Sequence, residues 1–282
     1  MSTVNPFAQG PAWHTGTLVG FDLETTGVDT TTDRVVTAAV VHVAPNGEVV
    51  RSREWLVDAG VRIPDAASAV HGVSTDRVRA HGMPSGLAIP EIIGELERAW
   101  CAGLPVVIFN APYDLTLLDA EAVRSGVPRL STRPWWPSAW VVDPLVIDRG
   151  MDRYRKGKRT LGATAEHYRV DARDAHSALG DAVAAATLAR AIAAEHDLLR
   201  TADALTLHSA QVVWHHDWAV HLQAHLRSKG KSEAVIDRAW PLRVPVVGRH
   251  RAPETEAPPA RVGRHRVPEP TAGEQARVTR AA

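Results

Sequence analysis

Three short segments near the start of the chain are rich in apolar and β-branched residues. They cover residues 17–23, 34–43 and 48–57, and this texture predicts strands. The tripeptide Pro-Asn-Gly between the second and third segments is a turn signal of hairpin length. The fold is therefore expected to begin with hairpin-connected strands.

Beyond residue 64, segments whose apolar residues recur at helical spacing alternate with short, fully apolar runs. Such runs are typical of strands covered on both faces. The predicted helices cover residues 74–80, 90–100, 112–125 and 181–196, and the predicted buried strands cover residues 105–109 and 139–142. Asp143 and Pro144 after the second run are typical of a helix cap followed by a first-turn proline. This order of elements predicts an α/β fold, with a mixed sheet flanked by helices.

Composition divides the chain into four parts. They are a flexible N-terminus (1–16), the α/β domain (17–197), a helical extension (198–245) and a disordered tail rich in Pro and Arg (246–282). The extension is predicted to hold a Trp- and His-rich helix at 204–226 and a short helix at 232–240. In the tail, VGRHRAPE recurs as VGRHRVPE, with too few apolar residues to offset the entropy of ordering.

The charges of the chain cancel. Its 282 residues include 32 Lys+Arg and 32 Asp+Glu, so any affinity for nucleic acid must be local. The basic run RGMDRYRKGKR at 149–159 is the best candidate for tracking the phosphates of a strand, and a solvated loop is the alternative. A single cysteine, Cys101, and the lack of a membrane-spanning stretch indicate a cytoplasmic protein without a membrane partner.

Two acidic residues of the first predicted strand, Asp22 and Glu24, leave the strand on the same face because side chains alternate. Paired carboxylates near a sheet centre repel each other unless they are protonated or bind cations. Hard oxygen ligands suit Mg²⁺ or Mn²⁺. A solvated strand end is the alternative for an isolated pair of this kind.

Further polar residues stand where predicted helices begin. Asn110 follows a buried strand, and Asp114 falls in the first turn of the next helix, where the dipole favours a carboxylate. His176 and Asp181 stand at the start of the last helix of the domain. Five residues on a continuous helix would turn them to different faces, so His176 is expected to lie before the first turn. Helix capping and packing are the alternatives for these residues.

Together these residues resemble the DEDDh branch of the DnaQ-like 3′→5′ exonucleases, which includes the epsilon subunit of DNA polymerase III, ribonuclease T and oligoribonuclease. The five motif positions are matched, in order, by Asp22, Glu24, Asp114, His176 and Asp181. The motifs read FDLETTG at 21–27, VIFNAPYDLTLL at 107–118 and HSALGDA at 176–182. The tyrosine branch of the superfamily would carry a tyrosine where Ser177 stands, so the histidine branch is favoured.

The resemblance implies a ribonuclease-H-like fold with roughly five strands and a site for two divalent ions, Mg²⁺ or Mn²⁺. It implies that Asp22 bridges both ions, with Glu24 and Asp181 on the first and Asp114 on the second. It further implies that His176 removes a proton from the attacking water. Contacts with the terminal nucleotide are expected, by the same resemblance, from Thr25, Thr26, His71, Asn110 and Tyr113.

The function expected from this resemblance is metal-dependent 3′→5′ exonuclease activity on single-stranded nucleic acid, DNA favoured, with release of nucleoside 5′-monophosphates. Two alternatives keep the chemistry: a proofreading subunit that binds a replicative DNA polymerase, and an exoribonuclease acting on RNA 3′ ends. A third, from another class, is a nucleic-acid-binding protein without catalysis. The five motif residues argue against that last alternative.

Overall fold

The computed structural model describes residues 12–172 and 176–243. This part of the chain holds a six-stranded sheet in the order β4-β3-β2-β1-β5-β6. The strands are β1 (Leu18–Thr25), β2 (Val35–Val43), β3 (Val49–Asp58), β4 (Met83–Pro84), β5 (Val106–Val107) and β6 (Val141–Val142). The pairs β1/β2 and β2/β3 are antiparallel, and the pairs β1/β5, β5/β6 and β3/β4 are parallel. The predicted mixed sheet is confirmed, with the unforeseen short strand β4 added.

Helices cover both faces of the sheet. They are α1 (Asp65–His71), α2 (Thr75–His81), α3 (Ser85–Cys101), α4 (Ala111–Arg124), α5 (Pro144–Met151), α6 (Leu161–His167), α7 (Ala178–Glu195), α8 (Asp197–Thr201) and α9 (Ala204–Ser228). Helices α3 and α4 pack on the face that carries Phe21 and Leu23, and α7 packs on the face that carries Leu18 and Ala39. Within the described ranges, no helix combines the length and the apolar character needed to cross a bilayer.

Helix α7 crosses β1 at Gly20. A Cβ atom built there would lie 2.2 Å from the backbone oxygen of Ala182, so the close approach requires glycine. This contact sets the first turn of α7 beside the second half of β1. It thereby brings Asp181 to the strand that carries Asp22 and Glu24.

The extension helix α9 packs on α5 and on the free edge of β6. Alternate backbone groups of β6 bond to β5, which leaves the carbonyl of Val141 and the N–H of Asp143 on the outer edge. The Gln211 amide takes both: its Nε2 donates to the Val141 oxygen (3.0 Å), and its Oε1 accepts from the Asp143 N–H (2.6 Å). A single buried side chain thus satisfies the groups that a further strand would have paired.

The prediction of a helix at 232–240 is wrong, since the chain there forms a turn followed by irregular structure. So short a segment gains little from helix formation alone, and specific contacts hold it instead. Ile236 N–H donates to Gln223 Oε1 (3.1 Å), and the Trp240 indole donates to Asp143 Oδ2 (3.2 Å). The helix predicted from residue 90 also begins earlier, at Ser85.

The N-terminal segment is described from residue 12 onward. Trp13 is buried, and its indole donates to the Leu199 carbonyl (2.8 Å). Trp13 is therefore packed against α8, and the start of the domain at residue 17 stays a prediction. The predicted tail at 246–282, with its repeated octapeptide, lies outside the described residues.

Candidate active site

Three carboxylates converge where β1 meets the first turn of α7. Carboxylate oxygens of Asp22, Glu24 and Asp181 all lie within 4.8 Å of one another, and the three side chains are half-buried. The strand alternation that puts Leu23 in the apolar core turns Asp22 and Glu24 to the α7 face. The expected convergence of these residues is therefore present.

The fourth acid, Asp114, lies in the first turn of α4 and is only 3% exposed. Its Oδ1 accepts the backbone N–H of Leu23 at 3.2 Å. That N–H points to the side of β1 where β5 has already ended, so it has no strand partner. Asp114 thus occupies the gap left by the short strand, next to both acids of β1.

The pKa values of all four acids are raised, because the fold disfavours their charged forms. Burial, followed by the charges of Asp114, Asp181 and Glu24, raises the pKa of Asp22 well above its usual value. Burial and then the charge of Asp181 raise the pKa of Glu24 to about 7. Burial is also the main cause of the raised pKa values of Asp114 and Asp181. A divalent cation would relieve this repulsion, and carboxylate oxygens are the ligands that hard cations prefer. The donor set therefore fits a divalent metal.

His176 stands at the rim of this cluster. It precedes Ser177, the N-cap of α7, has φ of 70°, and is exposed to solvent. Its backbone N–H donates to Asp181 Oδ1 at 3.4 Å. The expectation that His176 lies before the first turn of the helix is confirmed, and its imidazole is open to solvent beside the acids.

Thr25 and Tyr113 fix the loop that follows β1. The Tyr113 hydroxyl lies 2.5 Å from both Thr25 Oγ1 and the Gly27 carbonyl oxygen, and Thr25 Oγ1 donates to the same carbonyl at 2.7 Å. Burial raises the pKa of Tyr113 to about 12, so the phenol stays protonated and able to donate. This triangle ties the loop to helix α4.

Thr26 faces the interior. It is 7% exposed, and its hydroxyl donates to Asp33 Oδ1 (2.7 Å) and accepts the N–H of Arg34 (3.0 Å). Its own backbone N–H donates to the Arg34 carbonyl (3.0 Å). The hydroxyl of Thr26 therefore supports the loop, and a direct contact with substrate stays a prediction for this residue.

His71 ends helix α1 beside the backbone of Thr25. Its Nδ1 accepts the N–H of Val73 at 3.1 Å, which leaves the proton of a neutral ring on Nε2. Burial lowers the pKa of His71, and the nearby Thr25 backbone offsets this only in part. A neutral His71 is thus held next to the loop of Thr25.

Asn110 begins α4 with φ of 67° but makes no side-chain capping bond, so the capping alternative for it is wrong. Asp143 takes that role from a different strand end. Its Oδ1 accepts the N–H of Asn110 and its Oδ2 the N–H of Ala111, both at 2.9 Å. Asp143 also caps its own helix by accepting from Leu145, as predicted. Its link to α4 was missed, because the partners lie more than thirty positions apart.

The basic run at 149–159 divides into inward and outward members. Arg155 and Arg159 both pair with the buried carboxylate of Asp148. Arg149 lies over the ring of Trp218 at 3.8 Å, and burial lowers its pKa to about 10. These three arginines are structural, which leaves the other cations of the run for the surface.

Similarity to known proteins extends over this whole arrangement. An exonuclease family model, RNase T, matches residues 19–189. DNA polymerase III PolC-type of Lacticaseibacillus paracasei is 27% identical over 177 residues, and that of Staphylococcus saprophyticus is 26% identical over 172 residues. The matched regions cover 63% and 61% of this chain but only 11% of either polymerase.

Among solved structures, Exonuclease I of E. coli in complex with a dA16 oligonucleotide superposes with a TM-score of 0.55 at 15% identity. It covers 65% of this chain, which spans 42% of that enzyme. Exonuclease I of Methylocaldum szegediense gives a TM-score of 0.51 at 18% identity, with the same shares covered. These likenesses confirm the ribonuclease-H-like fold. The family model covers more than half of the sequence, including every motif residue, and so the chain belongs to the RNase T family of DnaQ-like exonucleases.

Proposed function

We propose that the protein is a divalent-metal-dependent exonuclease that removes nucleotides one at a time from the 3′ end of single-stranded nucleic acid, with DNA as the favoured substrate. The observation that carries this proposal is the convergence of Asp22, Glu24 and Asp181, with Asp114 buried alongside. The Exonuclease I structures bound to DNA oligonucleotides support the choice of DNA. Nucleoside 5′-monophosphates are the products we expect.

The four carboxylates would hold Mg²⁺ or Mn²⁺, with Asp22 central because the charges of all three other acids raise its pKa. Such ions, when bound, supply electrostatic stabilisation of the phosphate and lower the pKa of a water molecule. Because the acids otherwise repel a phosphodiester, the metal-free protein is expected to be inactive.

His176 is the residue we propose as general base. Its imidazole is exposed at the edge of the acidic cluster, and histidine can take up and release a proton near neutral pH. Solvent access lets the ring return that proton to water after each cycle. The attack on phosphorus then leaves the shortened strand with a free 3′ hydroxyl.

The terminal nucleotide would be held by the loop after β1 and the start of α4. Thr25, His71 and Tyr113 lie together there, and Asn110 stands at the adjacent helix start. Hydroxyl, imidazole and amide groups can bond to a terminal sugar, and the Tyr113 ring can pack against a base.

The proposal is tested with 5′-labelled single strands of matched DNA and RNA sequence in Mn²⁺. A ladder that shortens from the 3′ end is expected, faster on DNA, and absent when EDTA replaces the metal. A strand blocked at its 3′ end should persist. Degradation of the blocked strand, or binding without shortening, would contradict the proposal, and faster shortening of RNA would favour the exoribonuclease alternative.

A second candidate is proofreading in association with a DNA polymerase. It is favoured by the similarity to a segment of PolC-type polymerases. Co-purification of the chain with the polymerase catalytic subunit of its own cell measures this directly. Stoichiometric retention through size exclusion would support proofreading, whereas full activity in a fraction free of polymerase supports an independent enzyme.

Replacing Tyr113 with Phe is expected to raise KM by roughly two- to tenfold with a small change in kcat, the effect of losing one net hydrogen bond. The reason is that the hydroxyl joins both Thr25 and Gly27 to helix α4, so the loop that holds the terminal nucleotide loosens. Steady-state kinetics on a single strand measure the split. Ser228→Ala is the control, because that hydroxyl is exposed at the end of α9. Equal KM values for the two variants would speak against this role.

A further inference from the structure

The loop between α5 and α6, residues 152–160, is fixed by hydrogen bonds from its own arginines to Asp148 at the end of α5. Arg155 donates to both carboxylate oxygens of Asp148 at 2.9 Å, and Arg159 donates to Asp148 and to the Asp152 carbonyl. Asp148 is fully buried and also accepts from the Tyr168 hydroxyl (3.2 Å). A buried carboxylate with three donors fixes the base of the loop.

The remaining basic side chains of the loop are exposed, as is the aromatic ring between them in sequence. Tyr154 is 86% exposed, and the Arg153 guanidinium lies 5.8 Å from its ring centre. Lys156 and Lys158 are exposed on the same loop. Within the described part of the chain, neither lysine nor Arg153 has a salt bridge. Three cations without a salt bridge in the described residues therefore share one short loop with an exposed ring, in a chain whose net charge is zero.

The loop joins α5, which starts beside α4, to α6, which packs on α7. Helix α5 starts at Asp143, which binds the backbone of Asn110 at the start of α4, and eight helical residues span about 12 Å. On its other side the loop enters α6, which packs on α7, the helix that carries Asp181. The exposed cations thus lie on a segment whose two flanking helices contact the elements that carry Asp114 and Asp181.

We propose that Arg153, Tyr154, Lys156 and Lys158 form a strand-binding ridge that holds single-stranded nucleic acid upstream of its 3′ end. The cations would contact phosphates, and the tyrosine would stack on an unpaired base irrespective of its identity. This combination favours a single strand, since the bases of a duplex are already stacked. The inference rests on the proposed function for its substrate, and it predicts an effect on binding rather than on the chemical step.

The sequence offers a matched control. Lys229-Gly230-Lys231 repeats the Lys-Gly-Lys of the ridge at the end of α9, and both glycines have positive φ, 98° at Gly157 and 88° at Gly230. The lysines of both copies are exposed. Changing either pair to serine removes the same charge from the two sides of a glycine with positive φ, so the two variants differ chiefly in position.

The first measurement compares the kinetics of Lys156→Ser/Lys158→Ser with those of Lys229→Ser/Lys231→Ser. On a long oligonucleotide the ridge variant is expected to raise KM roughly five- to tenfold with kcat unchanged, while the control resembles wild type. On a dinucleotide too short to reach the ridge, all three proteins should behave alike. Equal effects of both variants, or a fall in kcat alone, would overturn the proposal.

The second measurement is binding of a fluorescent single strand without divalent ions, which needs no catalysis. The plot of log K against log salt concentration is expected to become shallower by about 1.4 in Lys156→Ser/Lys158→Ser. This corresponds to the loss of two phosphate contacts at about 0.7 each. Tyr154→Ala should weaken binding by roughly fivefold or more, and Tyr154→Phe should not. Unchanged binding in the ridge variants refutes the ridge even if wild type degrades DNA. Ridge-dependent binding without degradation instead refutes the proposed function.

Discussion

Asp22→Asn is expected to lower exonuclease activity by about a thousandfold or more while raising the thermal stability of the metal-free protein. Activity falls because the central carboxylate of the cluster is lost, and metal-derived charge stabilisation is worth several kcal/mol. Stability rises because the charged form of Asp22 is opposed by burial and by three neighbouring acids. Each 1 kcal/mol of relief raises Tm by about 2–4 °C in a domain of this size.

The pH dependence of the metal-free protein follows from the same shifts. An acid whose pKa is raised in the folded state stabilises the fold below its unfolded pKa, and that contribution is lost as pH rises through the folded value. For Glu24 this window lies between 4.5 and about 7. The wild-type Tm is therefore expected to fall across this range. The fall should be smaller in Asp22→Asn, which lacks one of the raised groups.

Thermal melts with and without Mn²⁺, together with the ladder assay, measure both effects. Mn²⁺ should raise the Tm of wild type, since a ligand that binds the folded state stabilises it, and should raise that of Asp22→Asn much less. Asp76→Asn, at an exposed acid of α2, serves as control and should keep activity and Tm. A metal-free Asp22→Asn protein less stable than wild type would contradict the argument from repulsion.

Asp143→Ala is expected to cost about 3–5 kcal/mol of unfolding free energy, a loss typical of breaking a buried charged network. Its carboxylate is fully buried and accepts from the backbone at the starts of both α4 and α5, and from the Trp240 indole. Alanine would leave these buried donors unpaired. Because α4 carries Asp114, activity per folded molecule should fall as well.

Urea unfolding of wild type, Asp143→Ala and Asp203→Ala measures the difference. Asp203 is an exposed N-cap of α9, bonded to Thr206 N–H at 2.7 Å, and loss of such a cap costs about 1 kcal/mol. The two variants remove the same side chain from a helix start, one buried and one exposed. A cost at Asp143 no larger than that at Asp203 would show that the buried network is not what stabilises this end of the sheet.

Local geometry predicts the placement of each acid of the site, and the family resemblance is what joins the acids into one site. Strand alternation puts Asp22 and Glu24 on one face, and helix starts hold Asp114 and Asp181. The support of Asp143 for α4 could not be predicted, since its partners Asn110 and Trp240 are distant in sequence and joined only by tertiary packing. Spacing indicates which face a side chain takes, but not which remote donor meets it.

The basic run illustrates the same limit. Its arginines and lysines look equivalent in sequence, yet Arg155 and Arg159 are drawn inward by the buried charge of Asp148. Only the fold distinguishes them from Lys156 and Lys158. Likewise, the family motifs predict the loop after β1. They do not predict that the Thr26 hydroxyl donates to Asp33 within that loop.

The Gln211 side chain has a consequence for how the molecule behaves in a crowded solution. An uncovered strand edge is a template on which a neighbouring molecule can add its own strand, the first step of sheet-mediated aggregation. Gln211 bonds the free N–H and carbonyl groups on the outer edge of β6. The helix that carries it, α9, thereby covers an edge on which a second molecule could otherwise pair. A chain that ends before α9 is expected to expose this edge and to aggregate more readily, even if the acids of the site keep their positions.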